Sequence, residues 1–229
     1  MSQTRILIIG ATGMVGGLAL RFALDSPGVS DVTVIGRRPV DLTHPRLIQV
    51  RHADCGNYAA VGDALANQDV ALFCLGTYTS SVSDAELRRV TVDYTSAFAD
   101  ALRARSPGAV VCFLSGQGAD QREKSRVAFA RYKGAAEKAL LAAGFGRVYI
   151  FRPGYIYPTT PRREPNVGYR VLRRLYPVAR RIYPNIGIAS DDLARAMVHA
   201  GLHGLAGQGD VVLEHHTIRA LAAEARPPV

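Results

Sequence analysis

The stretch Ile6-Leu7-Ile8-Ile9-Gly10-Ala11-Thr12-Gly13-Met14-Val15-Gly16 decides the fold of this 229-residue chain. Four consecutive aliphatic residues suit a strand buried on both faces. Glycines follow at Gly-x-x-Gly-x-x-Gly spacing and give a tight turn. Val15–Leu24 then carries helical patterning until Asp25-Ser26-Pro27-Gly28 stops it. A strand, a glycine turn and a helix in that order present backbone N–H groups and a helix N-terminus to a pyrophosphate, with no side chain in the way. Gly10, Thr12, Gly13, Met14, Val15 and Gly16 are therefore candidate dinucleotide ligands.

Outward from this unit the pattern repeats. Short apolar runs recur at Val32–Ile35, Leu47–Val50, Val70–Leu75, Ala109–Leu114, Val148–Phe151 and Val211–Leu213. Helical stretches lie between them. Ser83–Arg105 opens with Ser83 and Glu86 in capping-box spacing, Arg126–Ala143 ends at Gly144, and a helix from Asp191 follows the cap Ser190. Strands alternating with helices predict an α/β chain built as a Rossmann-type doubly wound parallel sheet of about seven strands. The whole of 1–229 reads as one domain. Tyr155–Gly187 breaks the rhythm with Pro158, Pro161, Pro165 and Pro177, and reads as an irregular excursion within it, a small C-terminal lid.

Composition bounds the rest. With 48% hydrophobic and 21% charged residues, a mostly disordered chain is excluded. No apolar run approaches the roughly 20 residues of a membrane-spanning helix, and the short N-terminal run leads straight into glycines, which is no signal peptide. Cys55, Cys74 and Cys112 are too few and too scattered for a disulfide framework or a zinc site. These features together predict a cytoplasmic protein. The net charge is +9, yet Arg162–Arg181 alone holds seven arginines against Glu164. That charge is local. It reads as a lid helix with a solvated arginine face, or as a docking surface for an anionic membrane or an acidic protein partner. Nucleic acid is disfavoured, because no reading-helix motif accompanies the charge. His215 and His216 read as late surface residues.

The strand ends choose the cofactor. An acid after the second strand would accept the adenine-ribose 2′-hydroxyl and select NAD. Here the strand ends Ile35-Gly36-Arg37-Arg38, and a guanidinium fork matches a 2′-phosphate. NADP(H) is therefore expected over NAD(H), the alternative being a pair of exposed solubilising cations. Leu75, Gly76 and Thr77 after the fourth strand would line the same crevice. Asp54 after the third reads equally as an adenine contact or a turn residue.

These residues resemble the atypical short-chain dehydrogenase/reductase superfamily, NAD(P)-binding Rossmann proteins of the Tat-interacting oxidoreductase-like branch. The resemblance runs from about Arg5 to Leu202. Besides the glycine turn and Arg37-Arg38, it rests on Cys74-Leu75-Gly76-Thr77, Leu114-Ser115-Gly116-Gln117-Gly118-Ala119-Asp120, Lys133-Gly134-Ala135-Ala136-Glu137, Phe151-Arg152-Pro153-Gly154 and Asp192-Leu193-Ala194. It implies an oxidoreductase that uses a Ser, a Tyr and a Lys. Ser115 takes the serine position, orienting a substrate carbonyl. Lys133 takes the lysine position, binding the nicotinamide ribose, and Pro153-Gly154 the turn that orients the carboxamide.

The sequence departs from that pattern at one place. Four residues before Lys133, where the resemblance puts the proton-donating tyrosine, stands Phe129. Tyr132 precedes the lysine directly, but residue i−1 lies about 100° around a helix from residue i, so it reaches the site only through a local irregularity. Tyr78, Tyr155 and Tyr157 on strand-end loops are the alternatives, each also readable as a wall residue. Two functions follow as expectations. One is an NADPH-dependent reductase of a carbonyl or quinone. The other is an NADP(H)-binding regulator or scaffold with little turnover.

Overall fold

A computed structural model describes residues 3–160, 187–205 and 209–225. The Arg162–Arg181 segment, with its lid, membrane and protein-partner readings, lies outside the described residues.

Seven parallel strands form the sheet. They are β1 (Thr4–Ile9), β2 (Val29–Gly36), β3 (Leu47–Arg51), β4 (Val70–Phe73), β5 (Val110–Leu114), β6 (Arg147–Arg152) and β9 (Val211–Glu214), in the order β3-β2-β1-β4-β5-β6-β9. The chain is thus wound outward in both directions from β1. That reversal opens a crevice beyond the C-terminal ends of β1 and β4, where such sheets bind ligands. A separate parallel pair, β7 (Tyr155–Tyr157) with β8 (Gly187–Ala189), flanks it.

Both faces of the sheet are covered, which is why the strands are continuously apolar. Side chains alternate across a strand: Ile6 and Ile8 point to one face, Leu7 and Ile9 to the other. The first face packs on α1 (Met14–Asp25), α5 (Ser190–His203) and α6 (His215–Glu224) through Val15, Leu20, Leu193, Met197 and Ile218. The second packs on α3 (Tyr94–Arg105) and α4 (Ala128–Ala142) through Phe98, Leu102, Ala136 and Leu140. Phe73 anchors that layer, its ring 4.8 Å from Phe98 and 5.9 Å from Phe113.

Three expectations shift in detail. The helix expected over Ser83–Arg105 starts as predicted, with the Ser83 hydroxyl accepting from the Glu86 N–H at 3.2 Å. It then breaks into α2 (Asp84–Arg88), a π-turn over Arg89–Asp93, and α3. Ser190 is the first residue of α5, not its cap, and its hydroxyl is held by Thr159 at 3.0 Å. His215, expected at the surface, is buried at the start of α6 and its pKa is lowered, first by that burial.

Phe73→Ala, which empties the centre of the second layer, is expected to lower the unfolding free energy by about 3–5 kcal/mol. A urea titration followed by circular dichroism reads this as a lower midpoint at unchanged slope.

Candidate dinucleotide site

The glycine turn is built by contact. Gly10 adopts φ +88°, and a Cβ there would sit 2.8 Å from the Cys74 carbonyl carbon and oxygen on the next strand end. A Cβ on Gly16 would sit 2.3 Å from the Gly10 carbonyl oxygen, which itself accepts from the Gly13 N–H at 2.9 Å. Any side chain at either position would lift α1 off the sheet. Gly13 caps α1 and makes no side-chain capping bond, so the first-turn N–H groups have no side-chain partner and face outward, as an anion needs.

Two cavities meet at Gly13 and Met14. The first, about 690 Å³, is lined by Thr12, Gly17, Arg21, Arg38 and Asp41 among others. The second, about 510 Å³, takes in Val15, Leu75, Gly76, Thr77, Tyr78, Ser115, Phe129, Lys133, Pro153 and Gly154. Together they form a trough across the end of α1, and they gather most of the sequence candidates. A cradle that only glycine can line, over an uncapped helix N-terminus, fits a dinucleotide.

Five candidates lie elsewhere. Gly10 and Gly16 stand behind the turn as packing residues. Arg37 is exposed and acts on the Cys55 thiol beyond β3. Asp54 accepts from the Gly56 N–H at 2.9 Å, the turn alternative. Tyr132 is also turned away: its hydroxyl donates to Asp84 on α2 at 2.6 Å, while Phe129 occupies the cavity wall one helical turn from Lys133. No local irregularity rotates Tyr132 inward, because α4 runs unbroken through it. Of the loop phenols, Tyr78 reaches the second cavity; from β7 it is Ile156, not Tyr155 or Tyr157, that does so.

Lys133 is buried. Its Nζ donates to the Leu114 carbonyl at 2.7 Å and lies 4.7 Å from the Phe113 ring centroid. Burial pulls its pKa down to about 8, against the opposing pull of the Glu137 charge. Gly134 beside it is obligatory, since a Cβ there would fall 1.9 Å from the Asp120 carbonyl oxygen.

Ser115 differs from its expected role. Its hydroxyl donates to Glu137 Oε1 at 2.5 Å. Glu137 is 0% exposed and accepts three further bonds, from Arg152 Nε at 2.9 Å, Arg152 Nη2 at 2.5 Å and Gln121 Nε2 at 2.8 Å. Both carboxylate oxygens are therefore filled. Arg152 also meets Glu214 at 3.1 Å, and its guanidinium is held above its ordinary pKa chiefly by the Glu137 bonds. A serine has one proton to donate, and here it is spent on Glu137; what the cavity receives is the oxygen's acceptor capacity. Glu137, Arg152 and Gln121 were assigned no role from sequence. The one signal was the i, i+4 spacing of Lys133 and Glu137, which puts both on one helix face.

A doubly wound sheet with a glycine turn at its switch point, and Ser115 and Lys133 around the adjoining cavity, is the architecture of an NAD(P)-binding protein. Residues 10–202 match the family described as NAD(P)H-binding, and the chain belongs to it. The protein named "Protein fmp52, mitochondrial" of Aspergillus clavatus is 32% identical over 219 residues, covering 91% of each chain. "Protein HTATIP2" of Rattus norvegicus is 28% identical over 77% of this chain and 72% of its own. Among solved structures, a short-chain dehydrogenase/reductase family oxidoreductase from Burkholderia thailandensis has the same fold, with TM-score 0.66 and 18% identity over 98% of this chain and 97% of its own. So does MoeE5, solved in complex with UDP-glucuronic acid and NAD, with TM-score 0.69 and 20% identity over 92% and 75%. The fungal relatives overturn the cytoplasmic expectation, since their names place them in mitochondria. Three scattered cysteines without a disulfide among the described residues do not single out the cytoplasm.

Removing the buried carboxylate strands Arg152, so Glu137→Ala is expected to lower the unfolding free energy by about 3–5 kcal/mol. Ser115→Ala deletes one bond to a charged group and should cost about 1.5–3 kcal/mol. Urea midpoints of the two variants check the ranking.

Proposed function

We propose that this protein is an NADP(H)-dependent oxidoreductase that reduces a carbonyl or quinone. The observation that carries the reading is the trough itself: two cavities joined at the N-terminus of α1, with Arg38 on one wall and Lys133 on the other. When bound, the nicotinamide supplies a hydride. Thr12, Gly13 and the first-turn N–H groups of α1 hold the pyrophosphate, and Arg38 favours a 2′-phosphate. The Lys133 ammonium, steadied by the Leu114 carbonyl, donates to the nicotinamide ribose, and the Pro153-Gly154 backbone orients the carboxamide. Met14, Leu75, Phe129 and Ile156 make the wall apolar, which excludes water and suits a flat, hydrophobic acceptor. The proton comes from neither Phe129 nor Ser115, whose hydroxyl is turned to Glu137. Tyr78 is the phenol in the same wall.

Phe129 favours a second reading, in which the chain binds NADP(H) as a regulator or scaffold and turns over little or nothing.

Parallel titrations with NADPH and NADH test the shared part: tighter binding of NADPH is expected, and binding of neither ends both readings. NADPH oxidation in the presence of quinones and aldehydes separates the two, turnover supporting the reductase and its absence the regulator. Tyr78→Phe is expected to lower kcat by about 100-fold with NADPH affinity unchanged; an unaltered kcat removes Tyr78 from the proton step. Because Lys133 loses its charge as pH rises through about 8, NADPH affinity should decline across that range, and Lys133→Met should flatten the profile.

A further inference from the structure

Tyr132 faces away from the second cavity, yet its partner belongs to the segment that forms the cavity's rim. After β4 the chain runs through Cys74, Leu75, Gly76, Thr77, Tyr78 and Thr79, all of which line that cavity. It then makes a short 3₁₀ turn, Thr79–Ser81, in which the Ser81 N–H donates to the Tyr78 carbonyl at 2.9 Å. From there it enters α2 at Asp84. One end of this rim is tied to the sheet, where the Cys74 N–H donates to the Ile9 carbonyl at 2.9 Å. The other end meets α4, where the Tyr132 hydroxyl donates to Asp84 Oδ2 at 2.6 Å.

The turn geometry of α4 makes both contacts possible. Phe129 and Lys133 are one helical turn apart and line the cavity. Tyr132 lies about 100° around the helix from Lys133, on the side where α2 packs. A single helix therefore holds the cavity wall with one face and the start of α2 with another. The bond to Asp84 is short and has a charged acceptor, which strengthens it. The Arg131 guanidinium lies 5.6 Å from the centroid of the Tyr132 ring and donates to the Ser125 carbonyl at 2.8 Å, so the ring is steadied from its other side. A rim made of loop and one short turn opens at a small fraction of the global unfolding free energy. One bond at its end then weighs on how often it opens.

We propose that Tyr132 is a positioning residue, whose bond to Asp84 latches the rim, residues 74–83, against α4 and so holds Tyr78 over the second cavity. The proposal rests on the reading of Tyr78 as the phenol of the proton step. It gives Tyr132 an indirect part in a site that its own hydroxyl does not enter.

The latch is tested without cofactor or turnover by amide hydrogen exchange of the intact chain. Tyr132→Phe removes only the hydroxyl and should speed exchange at Ser81 and the neighbouring rim amides by roughly 2- to 10-fold, with α1 and β5 at wild-type rates. Asp84→Ala should match it, and the double variant should go no further, because both act through one bond. Asp84→Asn keeps an acceptor oxygen and should retain most of the protection. Wild-type rates in Tyr132→Phe overturn the latch. So does faster exchange confined to Asp84→Ala, which is fraying of α2 after the loss of its first-turn acid. The chain has no tryptophan, so Tyr78→Trp gives a single reporter on the rim. Acrylamide quenching of its emission should rise when Tyr132→Phe is added, and unchanged quenching means that other contacts hold residue 78 and overturns the positioning role. In NADPH turnover, Tyr132→Phe should lower kcat in the wild-type background but not in Tyr78→Phe, with NADPH affinity unchanged; an equal loss in both removes the link to Tyr78. Absence of turnover in every variant, with the exchange and quenching pattern as expected, ends the reductase reading and leaves the latch standing.

Discussion

How closely α1 approaches the end of β1 is the constraint on which the site depends. The Gly10 carbonyl oxygen accepts from Gly13 at 2.9 Å and lies where a Cβ on Gly16 would be 2.3 Å away. Gly10 itself touches the Cys74 backbone. The glycine turn, the start of α1 and the sequence-distant end of β4 are thereby held at backbone contact, and no side chain can intervene. The helix N-terminus, its N–H groups left without a side-chain cap, is delivered to the switch point between β1 and β4. Because Gly13 and Met14 belong to both cavities, the same contact that packs the fold joins the two halves of the trough.

The other fixed point is electrostatic. A fully buried carboxylate carries a desolvation cost of several kcal/mol, and Glu137 offsets it with four donated bonds from Ser115, Arg152 and Gln121. These donors come from the end of β5, the end of β6 and the loop before α4, so the carboxylate ties together the strand ends that form the floor of the second cavity. Its negative charge also supports the ammonium of Lys133, one turn away, against the pull of burial. The consequence for chemistry is directional. Ser115 is rigid and well placed, but its proton faces the protein interior, so it meets a ligand as an acceptor.

What was legible in the sequence follows from the range of the interactions. Buried parallel strands and amphipathic helices write their pattern into consecutive residues, and the seven strands and the α1, α3, α4 and α5 segments were readable for that reason. The glycine turn is equally local. The Ser115–Glu137 and Arg152–Glu137 contacts join residues 22 and 15 apart, and nothing in either neighbourhood announces the other. Arg37 and Arg38 are consecutive residues of the bend after β2, and of the two only Arg38 lines a cavity. The π-turn at Arg89–Asp93 leaves no composition signal, since those residues continue the helical pattern of their neighbours.

Phe129 is more than a missing hydroxyl. Its para carbon lies 2.6 Å from where a Cβ on Gly116 would be. The ring therefore seats directly on the backbone that follows Ser115, and it does so because residue 116 has no side chain. α4 and the β5 end are the two elements that this contact joins. Both are held, α4 by the Gly134 contact with Asp120 and the β5 end by the bond from the Lys133 ammonium to the Leu114 carbonyl. The phenyl ring and the glycine are thus a matched pair. Where the resemblance implies Tyr-x-x-x-Lys, this wall carries a phenyl ring packed beside a glycine. Among the described residues that line the second cavity, Tyr78 on the loop side carries the phenol and Lys133 the ammonium.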